Sequence, residues 1–276
     1  MKLAKTKSIF GHTITVISGD LIGRKILKDG VYDRTGVFFI DRLLRNLTNP
    51  VCLDIGANIG NHALVMSRHA GTVIAFEPQP KVFEVLSMNI SDNQITNIHA
   101  CNFGLSNFSG FAKMTVVDAG NTGATSFVSS DASVPSLEAE LRQGDQELKR
   151  SGVSSVDFIK IDVEGLEASV IDGLRDTITS SSPIIMMEWN CEETRKGFSD
   201  KSLFTSVFKD YIFFVLSSSH ERPDLGESKA QKIIRKFSRR FLRPSIKLKT
   251  FMVDGNYGNV VAIPKHKFEF LSSILS

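Results

Sequence analysis

Cysteine is scarce in this chain, with three among 276 residues: Cys52, Cys101 and Cys191. They are odd in number, far apart, and set within or beside apolar runs, which suits buried thiols in a reducing cytoplasm and gives a zinc cluster no support. Long apolar runs are missing as well, since no stretch reaches the ~18 residues that a bilayer span requires. The opening "MKLAKTKSIFGHTITVISGD" is basic, but its apolar positions are broken at Gly11, His12 and Thr13 and alternate afterwards. It therefore reads as a strand and not as a signal peptide. Internal repeats and long low-complexity tracts are also absent. With 42% hydrophobic and 23% charged residues, the chain is expected to be a soluble globular protein, with room for one large α/β domain plus elaborations or for two small domains.

The formal net charge of +3 conceals an asymmetry. Residues 229–249, "KAQKIIRKFSRRFLRPSIKLK", hold nine Lys or Arg and no acid, so the rest of the chain carries 24 basic residues against 30 acidic. In "QKIIRKFSRRFLR" the apolar Ile233, Ile234, Phe237 and Phe241 follow helical spacing among the charges. A basic amphipathic helix of this kind can lie on an anionic membrane, or it can pack its apolar side on the domain and leave the charges solvated. Nucleic acid is the weaker partner, because the remaining surface is net acidic and no recognition motif accompanies the patch.

Short apolar runs alternate with helix-like stretches, the pattern of βα units around a parallel sheet. Strands are expected at 50–55, 72–77, 97–102, 156–162, 183–189, 211–217 and 259–264. Helices are expected after the first, ending at Gly71, and after the second, over "KVFEVLSMNISDN". Residues 108–128 read as two strands around a Gly/Asn turn, and 136–150, "SLEAELRQGDQELKR", as a polar surface helix. Two regions are expected: 1–37, an accessory strand and helix capping a ligand site, and 38–276, the main domain, with a hairpin insertion near 108–128 and a basic insertion near 218–258.

The first expected strand runs into "LDIGANIGN". A strand, a glycine turn and a helix bring backbone N–H groups to the top of a sheet, ready for a cofactor. The spacing Asp54-x-Gly56-x-Asn58-x-Gly60 is not the G-x-G-x-x-G dinucleotide fingerprint, and Asp54 beside a pyrophosphate would repel it. The charge argues instead for a ligand with a cationic centre, such as S-adenosylmethionine. Glu77, 23 residues on and at the end of the next strand, stands where an acid takes ribose hydroxyls. Farther along, "FIKIDVEGLEASVIDGL" sets Phe158, Lys160 and Asp162 on one strand face. A lysine in a central strand needs a partner, and Asp162 is the nearest in sequence.

"GVYD" (30–33), "LDIGANIGN", "FEPQP" and "IKIDVEGLE" together resemble the FkbM family of S-adenosylmethionine-dependent methyltransferases, in family order across roughly residues 20–190. The resemblance implies a class I methyltransferase (Rossmann-like) fold, a seven-stranded, mostly parallel sheet with helices on both faces. It implies methyl transfer to a hydroxyl, on acceptors that include sugars, glycolipids and natural-product scaffolds. The donor contacts expected on it are Tyr32, Asp54, Gly56, Asn58, Gly60, Glu77, Pro78, Asn102 and Asp162, and the expected catalytic set is Lys160, Asp162 and Glu164. An alcohol is a weak nucleophile, so a proton acceptor is needed near 3 Å, roughly hydrogen-bond distance. Asp162 or Glu164 can serve, or a divalent cation held by Asp162, Glu188 and Asn190 can lower the hydroxyl's pKa. His62, in the first turn of the donor-loop helix, reads as a surface or packing residue. The competing classes are a donor-fold binding module without catalysis and a nicotinamide oxidoreductase, the latter disfavoured by Asp54. The expected location is the cytoplasm, with the basic segment at the inner face of the membrane if the acceptor is lipid-linked.

Overall fold

The computed structural model describes residues 1–116, 125–126, 136–218 and 244–275. The chain begins with an antiparallel hairpin, β1 (Leu3–Lys7) and β2 (Thr13–Ile17). Next come α1 (Leu21–Asp29), which stops at Gly30 in the left-handed conformation, and α2 (Arg34–Leu44), capped by the Asp33 carboxylate. The βα core opens with β3 (Val51–Ile55), α3 (Ala63–Met66), β4 (Thr72–Phe76), α4 (Pro80–Asp92) and β5 (Ile98–Cys101). An inserted sheet follows: β6 (Gly104–Ser106), β7 (Gly110–Val116), β8 (Thr125–Ser126) and β9 (Ser136–Gln143), then α5 (Gly144–Arg150). The core resumes with β10 (Phe158–Ile161), α6 (Glu167–Gly173), α7 (Arg175–Ser181), β11 (Ile184–Trp189), α8 (Glu192–Gly197) and α9 (Ser202–Ser206). It closes with β12 (Tyr211–Ser218), β13 (Ile246–Thr250), β14 (Tyr257–Pro264) and α10 (Phe268–Leu275).

The main sheet has the order β13-β12-β14-β11-β10-β3-β4-β5. The five strands from β11 to β5 are mutually parallel, and β14 is antiparallel to both of its neighbours. All seven expected strands form, and β13 adds an eighth at the edge, antiparallel to β12. The central strands are apolar on both faces because helices cover both. Cys52, Phe158, Ile184 and Met186 face one core, with α2, α4 and α10, while Leu53, Ile159, Ile185 and Met187 face the other, with α6 and α7. One face of β3, β10 and β11 therefore ends, toward the carboxyl edge, in Asp54, in Lys160 and Asp162, and in Glu188.

Two expectations are corrected by the register. Residues 136–143 are a strand, not the start of a helix; β9 pairs with β7 antiparallel and β6 parallel, placing Ala139 and Leu141 in the interior. Their period of two outweighs the helix propensity of Glu138 and Glu140. The helix after β3 spans four residues where a longer one was expected, its neighbours forming turns. β7 and β8 do form the two expected strands, pairing Thr115 with Ser126. The basic segment lies outside the described residues as far as 243; its last residues fall in β13. Among the described residues no helix is long and apolar enough to cross a membrane.

The N-terminal hairpin is fastened to the core through α4. The fully buried Asn89 accepts from Thr15 N (2.6 Å) and donates to Thr15 O and Ile59 O (3.0 and 2.8 Å), and Asn93 bridges Thr13 N and O in the same way. Because Ile59 belongs to the turn after β3, one asparagine couples the hairpin to that turn. Leu21, Ile22 and Tyr32 are thereby held over the ends of the strands, where they line a cavity.

Candidate active site

A cavity of about 320 Å³ lies at the carboxyl edge of the main sheet, where open α/β folds place their ligands. Its floor is the turn after β3, in which Gly56, Asn58 and Gly60 have φ of +77°, +51° and +91°. Gly56 is required for a second reason: a Cβ there would stand 1.9 Å from the Asp162 carbonyl oxygen. Gly56 N and Ala57 N both donate to Phe76 O, stitching the turn to the end of β4. Just beyond, Glu77 is 3% exposed; its carboxylate accepts from Asn58 N and Gln79 N, each at 2.9 Å. Burial pushes this carboxyl up to about 7, against the pull of the two amides.

Lys160 sits between two strand ends. Its ammonium is 3.6 Å from Asp54 Oδ1 and 3.2 Å from Asp162 Oδ2, and it donates to Gly56 O at 3.2 Å. The contact with Asp54 follows from the β10–β3 register, which makes the two residues direct neighbours. Burial would lower the lysine, but the carboxylates of Asp162 and Asp54 outweigh it and hold the ammonium above its ordinary range. Asp54 is 0% exposed, and neither of its oxygens accepts a hydrogen bond among the described residues. It lies beneath Lys160 and off the cavity wall, not beside the ligand space where the sequence reading put it.

Above Lys160 the wall is acidic. Carboxylate oxygens of Asp162, Glu164 and Glu188 lie within 4.8 Å of one another. Burial works against the Asp162 charge, yet Lys160 and a hydrogen bond from Glu188 keep it below the usual carboxylate range. Glu188 is pushed far up by burial and by the Asp162 charge, and Glu164 rises to about 8 for the same reasons in the same order. Burial, then these carboxylates, also raise the Tyr32 phenol. Trp189 secures the end of β11 that bears Glu188: it packs on Phe198 and Phe251 and donates from Nε1 to Val253 O.

Of the expected residues, Tyr32, Gly56, Asn58, Glu77, Pro78, Lys160, Asp162 and Glu164 line the cavity together with Glu188 and Asn190. Gly60 backs onto Leu86 behind the turn, and Asn102 is exposed, donating to Glu77 O at 2.8 Å. Sequence reasoning missed Asn61 and His62. Asn61 exchanges hydrogen bonds with the Tyr32 backbone, and His62 Nε2 is 3.1 Å from Asp33 Oδ2. The Asp33 of "GVYD" was the available signal for that pair.

With one ammonium, already shared by two carboxylates, and three further carboxyl groups, the wall suits a ligand that brings positive charge and no phosphate. S-adenosylmethionine, with its sulfonium and α-ammonium, fits that demand. The family model for the methyltransferase FkbM domain matches residues 54–217. The chain belongs to the FkbM methyltransferase family. It is an S-adenosylmethionine-dependent methyltransferase, and it resembles the methyltransferase sdnD of Sordaria araneosa (29% identical over 196 residues, 59% of this chain and 71% of that protein). It also resembles the hexuronic acid methyltransferase AglP of Haloferax volcanii (32% over 138 residues, 50% of this chain and 55% of that protein). Among solved structures, the FkbM methyltransferase of Methylobacillus flagellatus KT superposes with a TM-score of 0.46 at 18% identity, covering 71% of this chain and 45% of that one.

Proposed function

We propose that this methyltransferase acts on a hydroxyl of a saccharide or glycolipid. The carrying observation is the cluster of Asp162, Glu164 and Glu188 on the cavity wall beside the Gly56–Asn58 turn, a wall of hydrogen-bond acceptors and carboxyl donors suited to a polyhydroxylated acceptor. The name of the Haloferax volcanii relative, a hexuronic acid methyltransferase, supports a saccharide as the acceptor class. When bound, S-adenosylmethionine supplies a methyl carbon activated by its sulfonium. In this reading Glu77 holds the ribose hydroxyls, the turn after β3 and Tyr32 enclose the amino-acid end, and Asp162 and Glu164 orient the acceptor hydroxyl. Asp54 acts from below by keeping Lys160 charged and Lys160 keeps Asp162 ionised. A small natural-product hydroxyl is the alternative acceptor.

A second reading, metal-assisted transfer, is favoured by the same three carboxylates with Asn190 beside them. Against it, Lys160 already places an ammonium 3.2 Å from Asp162. The nine cations of 229–249 support contact with an anionic inner membrane face, where a lipid-linked acceptor would be met. Calorimetry against S-adenosylmethionine and NAD, followed by mass spectrometry of uronic-acid disaccharides incubated with enzyme and donor, tests the function. Donor binding without NAD binding and a gain of one alkali-stable methyl ether are expected, with activity retained in chelator. Methylation confined to the uronic carboxylate, read as an alkali-labile ester, would overturn the hydroxyl assignment, and loss of activity in chelator restored by Mg²⁺ would replace it with the metal route.

A further inference from the structure

His62 is buried at 5% exposure, yet its ring lines the donor cavity with Glu77, Asp162 and Glu164. Its Nε2 meets the Asp33 carboxylate at 3.1 Å. Asp33 is fixed on every side: Oδ1 accepts from Gly36 N at 3.1 Å, Oδ2 accepts from Asn259 Nδ2 at 2.9 Å, and its own backbone is held at φ +43°. Asn259 faces Glu188 in the β11–β14 register, so the strand pair that delivers Glu188 to the cavity also anchors Asp33. Among the described residues, Nδ1 of His62 has no hydrogen-bond partner. A carboxylate at Nε2 selects the tautomer with hydrogen there and leaves the lone pair on Nδ1.

A histidine that merely fills space does not need so heavily restrained a carboxylate. The other groups able to take a proton are committed elsewhere. Asp162 is in contact with Lys160 and accepts from Glu188, Glu77 accepts two backbone amides, and Glu164 and Glu188 are held toward their protonated forms. We propose that His62 Nδ1 is the proton acceptor for the methylated hydroxyl, with Asp33 as a positioning residue that fixes the imidazole and Asn259 steadying Asp33. The proposal rests on the hydroxyl-methylation reading above. As the acceptor oxygen forms its bond to the methyl carbon, the O–H proton passes to His62 Nδ1, and the carbon–sulfur bond breaks with its electron pair left on sulfur. The sulfonium becomes a neutral thioether, and the imidazolium, stabilised by Asp33, returns its proton to water after product leaves. The charged and titratable groups that share the cavity with this ring or touch it are Asp33 before α2, Tyr32 beside it, Glu77 after β4, Lys160, Asp162 and Glu164 at and after the end of β10, and Glu188 at the end of β11.

The test uses the full chain and two variants, His62→Gln and Asp33→Asn; asparagine is chosen because it also caps a helix, which preserves the start of α2. Nitrogen-15 NMR of the His62 ring reads the tautomer without any acceptor. The expected spectrum of the neutral ring has hydrogen on Nε2 and none on Nδ1, and the preference is lost in Asp33→Asn. With a uronic-acid disaccharide as acceptor, His62→Gln is expected to lower kcat by ~10²–10⁴, the range of a general base, with KM and the calorimetric donor affinity unchanged. Hydrogen on Nδ1 in the wild type overturns the proposal. So does a loss of donor affinity in His62→Gln, which would make the ring a contact for the donor carboxylate. If the wild type methylates no hydroxyl while the NMR shows the expected tautomer, the acceptor reading fails and the arrangement of the dyad stands.

Discussion

Replacing Lys160 by methionine isolates the electrostatic role of the strand-end lysine, because methionine keeps most of the aliphatic stem and removes only the charge and its donors. The variant leaves Asp54 fully buried without a counter-ion, and Asp162, whose side chain is 27% exposed, with only partial access to water. Removing one partner of a buried ion pair costs ~3–5 kcal/mol. Asp54 supplies most of that cost, since neither of its oxygens has a hydrogen bond to fall back on among the described residues. At ~2–4 °C per kcal/mol for a domain of this size, the melting temperature should fall by on the order of 10 °C. Adding Asp54→Asn to Lys160→Met removes the stranded charge and should return about 2 kcal/mol, a coupling within the range measured for contacting residues. The four proteins of the cycle are compared by urea unfolding followed by far-ultraviolet circular dichroism at pH 7.5. The pH dependence has a defined sign. Asp162 is held below its ordinary carboxylate value, so its pairing stabilises the protein above pH ~4 and is lost as the pH falls through the depressed value. Lys160→Met should flatten that acid limb. A cost below ~1 kcal/mol, together with strict additivity in the cycle, would mean that Lys160 is solvated and would refute its assignment as the buried counter-ion of Asp54.

Three other outcomes follow from the same geometry. Gly56→Ala forces a Cβ against the Asp162 carbonyl at a positive φ; calorimetry should show donor binding lost, and thermal melts a destabilisation of ~1–3 kcal/mol. Glu164 has its folded value raised to about 8 from an ordinary 4.5, so the folded state holds the extra proton between those values and stability declines as the pH climbs through them. Glu164→Gln should therefore gain in melting temperature over the wild type as the pH rises from 5 to 8.5, and a constant difference would contradict the assignment. In the basic segment, changing Arg235, Lys236, Arg239 and Arg240 to glutamine should abolish pelleting with anionic vesicles at low salt, leave donor affinity intact, and have no counterpart on neutral vesicles. A wild type that fails to pellet would exclude the membrane reading.

What the sequence disclosed was whatever short-range pattern could carry. The glycine turn after β3 was legible because strand, turn and helix are contiguous, and the lysine of β10 announced a partner because an unpaired ammonium in a central strand is too costly. Its nearer partner, Asp162, was two residues away and visible. Asp54 became its second partner only through the β10–β3 register, which no local window contains. The misread of 136–143 has a related cause: Leu137, Ala139 and Leu141 alternate, but the glutamates between them favour a helix, and pairing with β6 and β7 decided the matter. His62 and Asp33 are 29 residues apart, and each alone looks ordinary; their contact depends on α2 docking across the strand ends and on Asn259, 226 residues after Asp33. The charge argument for a cationic ligand outlives the relocation of its first witness. Asp54 does not face the cavity: it is fully buried beneath Lys160, its neighbour in the β10–β3 register. Lys160 in turn is shared with Asp162, so two carboxylates divide one ammonium and the unbalanced charge lies one layer higher, on Asp162, beside the Glu164 and Glu188 carboxyls that are held toward their protonated forms. A ligand with a cationic centre suits that layer, so the negative sign that the sequence argument drew from Asp54 is presented to the cavity by Asp162 instead.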